Sequence, residues 1–104
     1  MPYTPNKVIT DVTGTLVAAA TTTTTLLGAE PHRKMVSIYN DSTAVMFMKL
    51  GGGAASNDFT IRMAADSFYE LPDNGMYTGS ITAVWVSATG SAQVAQFTGP
   101  IVNP

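Results

Sequence analysis

Arg33-Lys34-Met35-Val36-Ser37-Ile38-Tyr39-Asn40-Asp41-Ser42-Thr43-Ala44-Val45-Met46-Phe47-Met48-Lys49-Leu50 carries the pattern that decides the fold. Residues 33–39 alternate apolar and polar side chains and read as a strand, with Val36 and Ile38 on one face. Asn40, Asp41 and Ser42 read as a turn, because their short polar side chains can bond their own backbone. Residues 43–50 then form a second strand, and the two are expected to pair as an antiparallel hairpin. In that second strand Val45 and Phe47 face opposite to Ala44, Met46, Met48 and Leu50. A strand apolar on both faces is either central and covered twice or covered on one side by a partner. Arg33 and Lys34 read as the solvated start of the first strand.

Toward the C-terminus the same grammar repeats. Gly51-Gly52-Gly53 opens a flexible connection, and residues 59–64 alternate with Phe59, Ile61 and Met63 inward and Thr60 and Arg62 outward. Residues 67–71 form a short strand ended by Pro72, with Phe68 and Leu71 packing inward while Glu70 stays in water. Asp73-Asn74-Gly75 is a turn signal. Residues 80–88 place Ile81, Ala83 and Trp85 on one face, Thr89-Gly90-Ser91 is the next turn, and residues 92–97 are expected to pair back as a last hairpin. The tail 99–104 cannot extend a central strand, because Pro100 supplies no ladder donor.

The N-terminal third is less regular. Residues 7–12 read as a strand ending in a turn at Thr13-Gly14-Thr15, and residues 16–20 could continue a strand or start a short helix. Thr21, Thr22, Thr23, Thr24 and Thr25 are β-branched, which disfavours helix and suits a pleated surface, so residues 21–27 read as a strand. Such a threonine run would make an ice-binding face only if its spacing recurred, so it reads as an exposed or interface strand. Short strands about 8 to 12 residues apart predict an all-β chain, a small antiparallel β-sandwich or barrel of about eight short strands with extended N-terminal and C-terminal arms. Residues 1–32 form an arm and Thr-rich strand of the same domain, residues 33–98 the core, and residues 99–104 a tail. The partner-docking candidates are Thr21, Thr22, Thr23, Thr24, Thr25, Pro100, Ile101 and Val102.

Composition narrows the function. Of 104 residues only 12% are charged, against about 25% in an average soluble domain. Thr, Ser, Ala and Gly fill the difference and make a weakly hydrated surface suited to being covered by another protein. The five cations are scattered on a chain of net charge -2, so phosphate neutralisation and nucleic-acid binding are not expected. Cysteine is absent, which removes disulfides and thiolate chemistry. His32, the one histidine, stands in a break beside Pro31, where neither a catalytic triad nor a metal set surrounds it. The seven carboxylates are single, without calcium-loop spacing. Asp66 and Glu70 flank Phe68 and Tyr69 as a sugar-binding lip would, in composition only, and the glycine triplet lacks the Lys and Ser or Thr of a phosphate loop. Trp85 sits among β-branched neighbours and reads as core. No cofactor and no metal are expected. No run of about 18 to 20 apolar residues suggests a membrane helix, and residues 1–5 lack the basic and apolar regions of a signal peptide.

Val36-Ser37-Ile38-Tyr39-Asn40-Asp41-Ser42, Met48-Lys49-Leu50-Gly51, Tyr69-Glu70-Leu71-Pro72, Tyr77-Thr78-Gly79-Ser80-Ile81-Thr82-Ala83-Val84-Trp85 and Ala88-Thr89-Gly90-Ser91-Ala92 follow one another in an order that resembles small β-sandwich virion proteins of tailed bacteriophages. Several of those are capsid decoration, or cement, proteins. The resemblance implies a non-enzymatic structural protein, made in the host cytoplasm and carried in the virion, that binds the major capsid protein and neighbouring copies of itself. The alternatives are a neck, tail or head-fibre protein, or a carbohydrate-binding module that would use Tyr69, Tyr77 or an exposed Trp85.

Overall fold

The computed structural model describes residues 9–71 and 77–100, and every regular element among them is a strand. The strands are β1 (Asp11–Ala18), β2 (Thr24–Leu27), β3 (Arg33–Ser42), β4 (Met46–Leu50), β5 (Ile61–Met63), β6 (Phe68–Leu71), β7 (Ile81–Trp85) and β8 (Gly90–Thr98). They form two four-stranded sheets, ordered β1-β8-β3-β6 and β2-β7-β4-β5, with every pairing antiparallel. The expected antiparallel β-sandwich is present. Its strand order is that of a jelly roll, in which two Greek keys wrap into facing sheets.

Alternation decides what enters the core. Val36, Ile38, Ala92 and Val94 project inward from the first sheet and meet Met46, Met48, Ile81, Ala83 and Trp85 of the second. Leu26, Met63 and Leu71 close the sides of the cluster. Fully burying one such aliphatic side chain is worth about 1.5–3 kcal/mol, and this cluster is the main force opposing chain entropy. Ala44, Met46 and Met48 are buried while Val45 and Phe47 on the other face are half-buried, so β4 is apolar on both faces as its pattern implies. Trp85 lies in the core.

The expected hairpins do not form. β3 and β4 lie in different sheets, so residues 43–45 cross between layers and do not close a two-strand ribbon. Asn40, Asp41 and Ser42 remain in β3, paired with residues 90–92, because Asn40 points inward and finds partners in the core. β8 pairs with β1 and β3 and not with β7. Gly90 makes that crossing possible. Its φ is +98°, and a Cβ there would stand 2.6 Å from the Asp41 carbonyl oxygen and 2.7 Å from Ser42 Cα. Among the described residues, β4 and β5 are the only consecutive strands that pair with each other.

Several local expectations also change. Thr13-Gly14-Thr15 is no turn: β1 runs straight through it, Gly14 opposite Ala95. Residues 11–27 therefore supply β1 and β2 to the two sheets. Thr21, Thr22 and Thr23 precede β2, which begins at Thr24. Phe59 and Phe68 are exposed, since β5 begins only at Ile61 and the alternation in β6 turns Tyr69 and Leu71 inward. Arg33 is 2% exposed and not solvated. The connection at residues 51–56 is pinned to the second sheet, with Thr82 Oγ1 donating to Gly51 O at 2.7 Å and accepting from Ala54 N at 3.2 Å. The Asp73-Asn74-Gly75 turn lies outside the described residues.

Candidate docking surfaces

Register places Val12, Gly14, Leu16 and Ala18 of β1 on the outer face of the first sheet. Ser91, Gln93, Ala95 and Phe97 of β8, and Met35, Ser37, Tyr39 and Asp41 of β3, continue that face, which ends at Phe68 and Glu70 of β6. One row runs Leu16, Gln93, Tyr39, Phe68 across all four strands, and another runs Val12, Phe97, Met35. Val12, Leu16 and Phe68 are 55%, 67% and 61% exposed. Between the rows Gly14, Ala95 and Ser37 have too little side chain to fill the surface. The result is a shallow groove of about 460 Å³ with Leu16, Tyr39 and Gln93 on its wall. Among the described residues, Asp41 and Glu70 are the only charged ones that register puts on this face.

Two hydrogen bonds stiffen its rim. Tyr39 Oη donates to Asp66 Oδ1 at 3.1 Å, and Gln93 Nε2 donates to Asp41 Oδ2 at 3.3 Å. The bond from Tyr39 to Asp66, reinforced by the carboxylate charges of Asp66 and Asp41, holds the phenol above the usual tyrosine range.

The outer face of the second sheet carries a wider groove of about 610 Å³, lined by Thr21, Thr22 and Thr23 on one side and by Phe47, Val84 and Val86 on its floor. Phe47 also packs on Phe59 with ring centroids 4.9 Å apart. Thr23 Oγ1 donates to Ala54 O at 2.8 Å, which ties the threonine segment to the 51–56 connection. Thr21, Thr22 and Thr23 are thus brought to a concave surface, while Thr24 and Thr25 belong to β2 outside the groove lining. Pro100 is exposed just beyond β8. It lies at the opposite end of the sandwich: Ala20 O accepts from Trp85 N, whereas Gly99 N donates to His32 O. Ile101 and Val102 lie outside the described residues. Among the described residues, Pro100 therefore lies apart from the threonine segment.

The polar interior is structural. Arg33 Nε donates to Gln96 Oε1 at 2.8 Å, its Nη1 to Tyr77 O at 3.1 Å and Gly79 O at 2.8 Å, and its Nη2 to Gly28 O at 2.6 Å. Burial lowers the affinity of this guanidinium for its proton, and nearby Glu30 opposes that effect. The Glu30 carboxyl is held below its usual range, first by the His32 backbone N–H at 2.9 Å and then by the His32 ring and Arg33. His32 is thus half of an exposed pair with Glu30. Trp85 is buried with its Nε1 on Asn40 Oδ1, so it presents no platform to a sugar. Asp66 is engaged by Tyr39, and Glu70 stays exposed, as its strand position implied. Among the described residues no group of three or more His, Asp or Glu could hold a metal ion, and no helix is long and apolar enough to cross a membrane.

The first-sheet face was missed because Thr13-Gly14-Thr15 reads locally as a turn. Reading β1 as one strand puts Val12, Gly14 and Leu16 on a common face by their spacing alone. No protein family model matches the chain, no curated protein is significantly similar to it, and no solved structure matches it significantly.

Proposed function

We propose that this chain is a structural virion protein of a tailed phage, a capsid decoration protein that works by docking and performs no chemistry. The observation that carries this reading is the outer face of the first sheet. Exposed Val12, Leu16 and Phe68 surround a small-residue floor, and among the described residues the charges that register puts on that face are Asp41 and Glu70, with Asp66 at the rim. An exposed apolar patch rimmed by polar groups marks an interaction site, and aromatic side chains dominate the energetics of such sites. The resemblance of residues 35–97 to small virion proteins supplies the partner, the major capsid protein.

On this reading the flat face of the sandwich seats across neighbouring capsid subunits. The apolar rows supply affinity, and the acidic rim selects a partner patch edged with Lys or Arg. The low overall charge fits a protein that spends its working life covered. The carbohydrate-binding alternative loses its tryptophan to the core. Mixing purified protein with expanded, DNA-free capsids of its phage and sedimenting them tests the reading. The protein is expected in the pellet at a stoichiometry set by the lattice, and its remaining wholly in the supernatant would remove the decoration role.

A further inference from the structure

Among the described residues the two sheets have four edges, and three are blunted. β2 has four residues and a register irregularity, β5 has three residues, and β6 has four. β1 is different. It has eight residues, pairs with β8 over all of them without a register shift, and contains no Lys, Arg or Pro. Among the described residues no strand pairs with its other side. Long flat edges without such guards invite another strand, which is why monomeric proteins normally protect them.

The backbone of β1 shows what it would accept. Ala19 N–H donates to Gly90 O, so the alternation of an antiparallel ladder turns the odd residues of β1 toward β8. The N–H and C=O groups of Val12, Gly14 and Leu16 then point away from the sandwich along the free edge. These groups are self-complementary about Gly14. If a second β1 lies antiparallel with Gly14 opposite its own copy, Val12 opposes Leu16 of the other chain and Thr13 opposes Thr15. The free donors and acceptors of residues 12, 14 and 16 then meet in hydrogen-bonded pairs. Val12 and Leu16, two of the most exposed apolar side chains, become cross-strand neighbours on the outer face.

We infer that β1 is a dimerisation edge, and that two copies join through a two-fold axis at Gly14, normal to the first sheet, into one continuous sheet. Because the axis preserves the faces, the apolar rows of the two copies merge on one side. The interface follows from the edge and its register, and stands whether or not the protein decorates a capsid.

Sedimentation equilibrium of the full chain over a wide range of concentration tests this. The wild-type protein is expected to approach twice the chain mass. Val12→Lys/Leu16→Lys places like charges opposite each other on both sides of the axis, and is expected to give the single-chain mass with an unchanged far-ultraviolet circular dichroism spectrum. Val12→Lys/Leu16→Glu places Lys opposite Glu and is expected to restore the dimer mass. That rescue reads the register, because both variants lose the same apolar area. A monomeric wild-type chain would overturn the proposal, as would a double-lysine variant that stays dimeric, or a folded Lys/Glu variant that stays monomeric.

Discussion

The Trp85 indole Nε1 donates to Asn40 Oδ1 at 3.1 Å, which joins the two sheets at a point where both residues are buried. The same Oδ1 accepts from Ser42 Oγ at 2.7 Å. Asn40 Nδ2 reaches the carbonyls of Ala44 at 2.9 Å, Ala64 at 3.0 Å and Met63 at 3.2 Å. A buried amide costs stability unless satisfied, and this one is satisfied at both ends.

Asn40→Ala should therefore destabilise more than the loss of its volume implies, because the Trp85 N–H and a set of core carbonyls lose their partner together. The expected cost is about 3 kcal/mol. Trp85→Phe leaves Asn40 Oδ1 with Ser42 and should cost less, about 2 kcal/mol, mostly as lost packing. Urea denaturation midpoints, read at constant slope, compare the two.

Arg33 closes the other end of the sandwich by holding Gly28, Tyr77 and Gly79 through their carbonyls. Lysine offers a single ammonium and cannot span those directions. Arg33→Lys should therefore cost about 2 kcal/mol, which lowers the melting temperature by roughly 10 °C for a domain of this size. A thermal melt of Arg33→Lys that overlays the wild type would show that the fork geometry does not matter.

Gly90 has a left-handed φ and meets Asp41 and Ser42 backbone atoms where a Cβ would go, while Gly28 has open space around its Cα. Gly90→Ala should destabilise by about 2 kcal/mol or more, and Gly28→Ala should stay within about 0.5 kcal/mol of the wild type. Chemical denaturation of both variants measures the contrast.

Tyr39 donates to Asp66, and this bond holds its pKa above the ordinary value of about 10. A group whose folded pKa is raised contributes stability that is fully present below its unfolded pKa and is lost as pH rises through the folded pKa. Asp66→Asn removes the charge while suiting the positive φ of 60° at that position. Ultraviolet titration should show one tyrosine ionising at lower pH in Asp66→Asn than in the wild type. Coincident titration curves would contradict the assignment.

The sequence makes the strands legible and hides their partners. Val36 with Ile38, and Ile81 with Ala83 and Trp85, alternate as the structure places them, because a strand face is a local property. Whether the break after Ser42 closes a hairpin or crosses to a second sheet depends on where Asn40 finds its acceptors, two of which, the Met63 and Ala64 carbonyls, are far away in sequence. For the same reason Arg33 reads as solvated: its carbonyl partners at Tyr77 and Gly79 come from a distant loop. The candidate face stayed hidden behind one glycine, since Thr13-Gly14-Thr15 looks like a turn unless β8 lies beside it. Thr21, Thr22 and Thr23 were legible as surface residues, but the groove they line needs the 51–56 connection to exist.

Docking through the first sheet is the centre of the account, and co-sedimentation with expanded, DNA-free capsids measures it at a residue remote from the β1 edge. Phe68→Glu should weaken capsid binding at least about tenfold, the loss expected when an exposed aromatic anchor is removed. Thr22→Glu, on the outer face of the other sheet, should bind as the wild type does. Undiminished binding by Phe68→Glu together with lost binding by Thr22→Glu would contradict the account and move the docking surface to the other sheet.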